Sequence, residues 1–105
     1  MNISEFIKKH QSITANQNMP FRPLPHIVCN DGLTFSVQAS QYHYCTPRED
    51  NCEYSEVEIG FPSQKIEQLM RFAEDADNPT GTVYGWVPIE VVDEIISEHG
   101  GIKNG

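Results

Sequence analysis

An Asp-Gly pair between two strand-like segments is the feature that most constrains how this chain can fold. Asp31-Gly32 separates His26–Asn30 from Leu33–Ser40, and Asp-Gly favours the positive φ angles that a two-residue type I′ hairpin turn requires. Apolar residues alternate with polar ones in the second segment, at Leu33, Phe35, Val37 and Ala39. This alternation is typical of a half-buried antiparallel strand. The sequence therefore predicts a β-hairpin.

The two-residue turn also predicts the register of that hairpin. Val28 is expected opposite Phe35 on the apolar face, and Cys29 opposite Thr34 on the polar face. If Cys29 is instead buried, a bulge or a longer loop must shift the register.

One helix and a linker are predicted before the hairpin. Asn2 and Glu5 have the spacing of a capping box, and the apolar residues that follow lie on one face of a helix over residues 3–11. Ser12–Pro25 contains three prolines among polar residues, which predicts an extended linker.

Two strands and two helices are predicted after the hairpin. The strands are Glu53–Phe61 and Thr82–Val87, and one helix follows each strand, starting at Pro62-Ser63 and at Pro88. In the third strand Val57, Ile59 and Phe61 are expected to face inward, and Glu56 and Glu58 outward. In the fourth, Val83 and Val87 share one face, and Tyr84 and Trp86 the other. The apolar faces of the two helices are Ile66, Leu69, Met70 and Ala73, then Ile89, Val92, Ile95 and Ile96. Gly100 is expected to close the last helix.

These elements predict an α+β fold, with a mostly antiparallel sheet of about four strands and two to three helices packed on it. Residues 1–105 are expected to form a single domain. Residues 1–25 supply the N-terminal helix and the proline-containing linker, and residues 26–102 supply the α+β core.

Negative charge is concentrated in one half of the chain. Residues 49–98 contain thirteen acidic residues against Lys65 and Arg71, within a formal net charge of −8. Such a chain is repelled by bare nucleic acid and by anionic lipid. We therefore expect neither direct nucleic-acid binding nor membrane binding.

The acidic residues form three groups, which we predict to bind a basic protein surface. They are Glu49, Asp50, Glu53, Glu56 and Glu58; then Glu74, Asp75 and Asp77; then Glu90, Asp93, Glu94 and Glu98. Like charges four residues apart on a helix cost a few tenths of a kcal/mol each. That the chain accepts this cost suggests that the acidic residues have a function. The alternative is a charged face that only keeps the protein soluble.

Tyr42, His43 and Tyr44, beside Pro47 and Arg48, have the composition of a protein-contact patch. The alternative is that one of the tyrosines packs into the edge of the sheet.

Three cysteines and one histidine raise a second possibility. Cys29, His43, Cys45 and Cys52 are a legitimate zinc set, but no Cys-x2-4-Cys pair is present. Cys45 with His43 could also be a nucleophile and its base, although nothing marks an orienting carboxylate or an oxyanion hole. The sequence also lacks a phosphate-binding glycine loop and hydrolase motifs. We therefore expect no catalytic residue, no metal and no cofactor.

The N-terminus lacks a basic-then-apolar signal, and no apolar run approaches the length of a membrane span. An odd number of cysteines argues for free thiols in a reducing compartment. Both observations predict a cytoplasmic protein.

Several segments resemble a family of small uncharacterised proteins from phages and prophages of proteobacteria. They are RPLPHIVCNDGLTFSVQASQYHYCTPR, YSEVEIGFPS, LMRFAEDADNPTGTVYGWVP and HGGI, spread over residues 22–102. The resemblance implies a phage accessory protein, and such proteins often bind and inhibit a host machine, including restriction and CRISPR systems.

Three hypotheses follow. The first is an inhibitor whose carboxylates act as a nucleic-acid mimic and occupy the basic site of a host or defence nucleic-acid-binding protein. The second is a metal-binding or thiol-dependent module built on His43, Cys45 and Cys52. The third is a non-catalytic structural or dimerising protein, with a homodimer as one form, whose acidic residues only keep it soluble.

Overall fold

The computed structural model describes residues 1–16 and 24–104, and of residues 12–16 it describes the backbone alone. Four strands form one antiparallel sheet in the order β1-β2-β3-β4. They are β1 (Ile27–Val28), β2 (Thr34–Gln38), β3 (Glu56–Gly60) and β4 (Val83–Pro88). Helix α1 (Ile3–Asn16), a 3-10 helix (Glu67–Phe72) and helix α2 (Ile89–Glu98) complete an α+β arrangement. The predicted fold class is confirmed.

Helix α1 begins with the predicted capping box. The Asn2 N–H donates to Glu5 Oε1 over 2.9 Å, and the Glu5 N–H donates to Asn2 Oδ1 over 2.8 Å. The helix extends to Asn16, so the first part of the predicted linker is helical. Residues 17–23 of that linker lie outside the described residues.

The hairpin is present, but its turn is one residue longer than predicted. The Gly32 N–H donates to the Cys29 carbonyl and the Cys29 N–H donates to the Leu33 carbonyl, so residues 30–32 form a three-residue loop. Gly32 has a φ of +100°, which is the usual glycine position of such a loop. The pairs are Ile27 with Phe35 and Val28 with Thr34. The predicted register is therefore wrong. Cys29 is fully buried, and the longer loop supplies the register shift that this burial requires.

Strand β4 contains a bulge that changes which of its residues are buried. A shift in the β3–β4 pairing places Glu58 opposite both Gly85 and Trp86. Because the extra residue restarts the alternation of side chains, Tyr84 and Val87 are both buried while Trp86 is 46% exposed. The prediction that Tyr84 and Trp86 share a face is wrong.

Two other predicted details differ. Phe61 has a φ of +51° and is exposed, because the left-handed backbone ends the strand before it. The segment after β3 is a short 3-10 helix instead of an α-helix. In 3-10 geometry residues three apart share a face, so Ile66 and Leu69 are buried whereas Met70 is only partly so.

Helix α2 ends in a glycine motif that also holds the hairpin. The Gly101 N–H donates to the Ile96 carbonyl and the Gly100 N–H to the Ser97 carbonyl, which is the pattern of a Schellman cap. The Asn30 N–H in turn donates to the Gly101 carbonyl over 3.0 Å. Gly100 therefore closes the helix, as predicted.

The core lies between the sheet and the two α-helices. Its largest fully buried side chains include Phe6, Ile27, Phe35, Ile59, Leu69, Tyr84, Val87, Val92 and Ile95. Neither α1 nor α2, the two α-helices of the described part, is long and apolar enough to cross a lipid bilayer.

Candidate protein-interaction surface

Helix α2 carries the most regular acidic row. Glu90, Glu94 and Glu98 are exposed and are four residues apart, so they follow one another at about 6 Å intervals along the helix axis. Glu98 Oε2 accepts a 2.6 Å hydrogen bond from Gln68 Nε2. The helix contains no lysine or arginine, so no cation of its own neutralises the row.

Asp93 has a different role from its neighbours. It is only partly exposed, and its Oδ1 accepts a 2.7 Å hydrogen bond from the backbone N–H of Ile3. That N–H is one of the unpaired donors at the start of α1. The carboxylate therefore fastens α1 to α2, whatever it contributes to a partner.

The first acidic group divides between the surface and the sheet. Glu49, Asp50 and Glu53 are exposed. Asp50 accepts from the backbone N–H of Gln41 and from its side-chain amide, at 3.0 and 2.9 Å, and these bonds hold the pKa of Asp50 below its usual value.

Glu56 and Glu58 do not face solvent freely, although both were expected to. Glu56 accepts a 2.7 Å hydrogen bond from Thr46 Oγ1. Only 14% of the Glu58 side chain is exposed, because residues 40–48 fold over the outer face of β3. This burial raises the pKa of Glu58.

Glu74, Asp75 and Asp77 form an exposed turn between the 3-10 helix and β4. The Glu74 N–H donates to the Val83 carbonyl over 3.0 Å, and Asp75 Oδ1 accepts from the Asp77 N–H over 3.1 Å. The turn is therefore fixed against the end of β4 opposite to the start of α2.

Contacts join the elements that carry the three acidic groups. The Ile89 N–H donates to the Ser55 carbonyl, which places the start of α2 beside the first group. The α2 row then runs toward the 3-10 helix, which it meets at the bond between Gln68 and Glu98. The second group follows that helix directly. Glu67 lies on this path, is exposed and was not among the predicted site residues.

Few cations neutralise these carboxylates. Across residues 1–11 and 24–104, the one ion pair between a lysine or arginine and a carboxylate joins Lys65 Nζ to Glu67 Oε1 at 3.3 Å. The other two pairs use histidines, His43 with Glu58 and His99 with Asp31.

Exposed aromatic side chains form a second surface feature. The rings of Tyr44 and Trp86 stack with centroids 4.9 Å apart and an interplanar angle of 27°. The Arg48 guanidinium lies 5.9 Å from the Tyr44 ring centroid. We call Tyr44, Trp86 and Arg48 the aromatic patch. Tyr42 lies nearby in sequence and is 66% exposed, as a contact residue would be.

Sequence reasoning did not identify Trp86 as a surface residue. It sits in a strand of bulky residues, and the bulge that exposes it has no signature in the sequence beyond the neighbouring Gly85. A Cβ on Gly85 would lie 3.2 Å from the Tyr44 Cβ, so the close approach of loop and strand favours glycine there.

A half-buried polar cluster holds the loop that carries Tyr44. Ser40 Oγ lies 2.7 Å from His43 Nδ1, and His43 Nε2 lies 4.0 Å from Glu58 Oε2. Burial lowers the pKa of His43. Cys45 Sγ donates to the carbonyls of Ser40 and Pro47, at 3.2 and 3.3 Å.

The hydrogen bonds of Cys45 hold the loop, and Cys29 packs in the hydrophobic core. Cys29 and Cys45 are buried and Cys52 is partly exposed, all as free thiols. Burial raises the pKa values of the Cys29 and Cys45 thiols, which disfavours the reactive thiolate. No three His, Cys, Asp or Glu side chains within the described ranges are arranged to hold a metal ion. The geometry therefore adds no support to the metal or thiol hypothesis.

Comparisons of the chain with protein-family models, with curated proteins and with solved structures found no match.

Proposed function

We propose that this chain is a small acidic accessory protein of a phage or mobile element that binds and inhibits a basic, nucleic-acid-binding host or defence protein. A restriction or CRISPR complex is one example of such a target. The observation that carries the proposal is the exposed row of Glu90, Glu94 and Glu98, with no cation interleaved along α2.

A nucleic-acid mimic must approach the charge density of its model. Double-stranded DNA presents about one negative charge per 1.7 Å of axis, whereas the α2 row supplies one per about 6 Å. The row alone is therefore too sparse. Exposed carboxylates beyond its two ends, Glu53 on one side and Glu67 and Glu74 on the other, would lengthen the acidic surface that a basic site meets.

Charge complementarity would then drive the association. Clustered carboxylates facing a basic site speed encounter and make binding sensitive to salt. The partner surface is one that normally neutralises phosphates, so occupancy by this protein and by nucleic acid would be mutually exclusive. Inhibition follows from that competition and requires no catalysis.

The test begins with affinity capture from cells that carry a defence system. The captured protein is then assayed for binding to its own DNA in the presence of the wild-type chain or of variants. Glu90→Gln with Glu94→Gln removes two charges of the row and changes the net charge from −8 by two units. His26→Lys with Gln64→Lys is the matched control, because it makes the same change in net charge at exposed positions outside the three acidic groups.

The proposal expects wild type and the control to displace DNA from the captured protein, and the glutamine variant to displace it several-fold less well. The same order is expected for plating of a sensitive phage on the defence-competent host. A captured partner that binds DNA and this chain at the same time would overturn the proposal, as would equal inhibition by the two double variants.

A further inference from the structure

The exposed stack of Tyr44 on Trp86 is an unusual feature of an acidic surface. Trp86 is 46% exposed and Tyr44 is 39% exposed, yet the two rings pack closely on each other. Tryptophan, tyrosine and arginine are the residue types most enriched among the contacts that dominate protein interfaces. The patch therefore has the composition of an interface centre.

The backbone presents the indole outward. Trp86 lies at the bulge of β4 with a φ of +51°, a conformation that is rare for a large side chain. Alternation along a regular strand would have given Trp86 and Tyr84 the same environment, whereas Tyr84 is fully buried. Strained backbone of this kind occurs most often at functional positions.

Carboxylates border the patch. Glu58 lies opposite Gly85 and Trp86 in the β3–β4 pairing, and the Glu74 N–H donates to the carbonyl of Val83 at the start of β4 over 3.0 Å. Arg48 is the cation of the patch, and it lies over Tyr44 and not over Trp86. A second cation that approached the indole would meet an aromatic face on a strand that pairs with an acidic one.

We propose that the aromatic patch receives an arginine side chain of the basic partner, stacked on the exposed indole of Trp86. A guanidinium is planar and stacks on aromatic faces, whereas a lysine ammonium is a compact, strongly hydrated charge. The patch would thus select arginine-rich surfaces over lysine-rich ones, beyond what charge alone can do. This inference rests on the proposed function, because it assumes a basic partner.

Two synthetic probes separate stacking from charge. Fluorescein-labelled nona-arginine and nona-lysine carry equal charge, and their affinities are measured by anisotropy at low salt. Trp86 is the single tryptophan of the chain, so its emission reports contact with the patch directly. We expect nona-arginine to bind about threefold to fivefold more tightly than nona-lysine and to change the Trp86 emission more.

The key variant is Trp86→Asn, since asparagine tolerates positive φ and removes the indole. This variant is expected to bind both peptides with the same affinity, which should equal the affinity of the wild-type chain for nona-lysine. Phe61→Asn is the matched control, because Phe61 is also exposed at a φ of +51° but lies outside the patch. It should retain the arginine preference. Tyr44→Ala, which keeps Trp86 but removes the stack, should weaken that preference.

Equal binding of the two peptides by wild type, or an unchanged preference in Trp86→Asn, would overturn this inference and leave the proposed function standing. A failure of both peptides to bind would contradict the proposed function as well. Sedimentation of the chain alone gives one more decisive result. A dimer that Trp86→Asn dissociates would assign the patch to a second copy and overturn the arginine inference.

Discussion

Left-handed backbone at Phe61 and Trp86 is unusual because both side chains are large. For an L-residue this conformation costs roughly 1–2 kcal/mol, and neither ring is fully buried in return. The other positive-φ positions of the described structure are three glycines, Gly32, Gly100 and Gly101, and Asn51. The two aromatic residues therefore occupy positions at which glycine would be easier to accommodate.

Because of this geometry, replacing Phe61 by glycine should leave a more stable protein than replacing it by alanine, which is the reverse of the usual order. Phe61→Gly and Phe61→Ala both remove the ring, but only alanine has a Cβ that resists positive φ. We expect the glycine variant to have the higher free energy of unfolding in urea, by about 1 kcal/mol. Tyr42, exposed and without positive φ, is the control, and there the alanine variant should be the more stable. The normal order at both sites would contradict the backbone geometry.

At Gly32 the positive φ is occupied by glycine, so the test there is to add a side chain. A Cβ at Gly32 would meet no atom within 4 Å, so any cost of a side chain there comes from its φ of +100°. Gly32→Val should lower the free energy of unfolding by about 1–2 kcal/mol, and Gly32→Asn by less, because asparagine tolerates this region. A valine variant that melts like wild type would mean that the turn is misassigned.

At the scale of elements, one carboxylate from α2 adds to the attachment of α1. Asp93→Ala removes the acceptor of the Ile3 N–H and should cost about 1 kcal/mol, as loss of a helix N-cap does. Glu94→Ala changes the next, exposed residue and should stay within about 0.5 kcal/mol of wild type. Chemical denaturation measures both. Equal effects would show that the Asp93 contact does not stabilise the fold.

The hairpin and the end of α2 are joined by Asp31 and His99, whose Oδ2 and Nδ1 atoms lie 2.6 Å apart. The backbone N–H of Leu33, and then His99, lower the pKa of Asp31. A lowered carboxyl pKa contributes stability above the unfolded-state value, and that contribution is lost as the pH falls through the folded-state value.

Asp31→Asn should therefore be less stable than wild type at neutral pH. The difference should shrink once the pH drops below the unfolded-state value near 3.8. Unfolding curves recorded from pH 7 to pH 2.5 check this. A difference that grows toward acid pH would contradict the assignment of the Asp31 contacts.

Periodicity predicted most of these elements correctly. Alternation defined β2, and the spacing of Val92, Ile95 and Ile96 defined α2, because both patterns depend on neighbours in sequence. The bulge at Trp86, the burial of Glu58 and the bond from Ile3 to Asp93 were not predicted. Each of them depends on segments that meet only after folding, and local pattern carries no record of such contacts.

At the scale of the whole molecule, charge distribution is the main argument for function. Exposed carboxylates extend from the loop before β3, along α2, to the turn before β4, and a pattern of this extent was predictable from the sequence. That the elements carrying these carboxylates meet was not predictable, because it depends on the Ser55–Ile89 and Gln68–Glu98 contacts. Asp93 must be left out of any binding test, since its reversal would also remove the acceptor of the Ile3 N–H and lower stability.

The most direct test of the acidic surface is the salt dependence of its affinity for the captured partner. Dissociation constants are measured over a range of salt for wild type, Glu90→Gln with Glu94→Gln, and His26→Lys with Gln64→Lys. The proposal predicts a steep loss of affinity with salt for wild type and the control, and weaker, less salt-sensitive binding for the glutamine variant. Identical affinities and salt slopes for all three proteins would contradict the proposal, and the acidic residues would then serve only to keep the protein soluble.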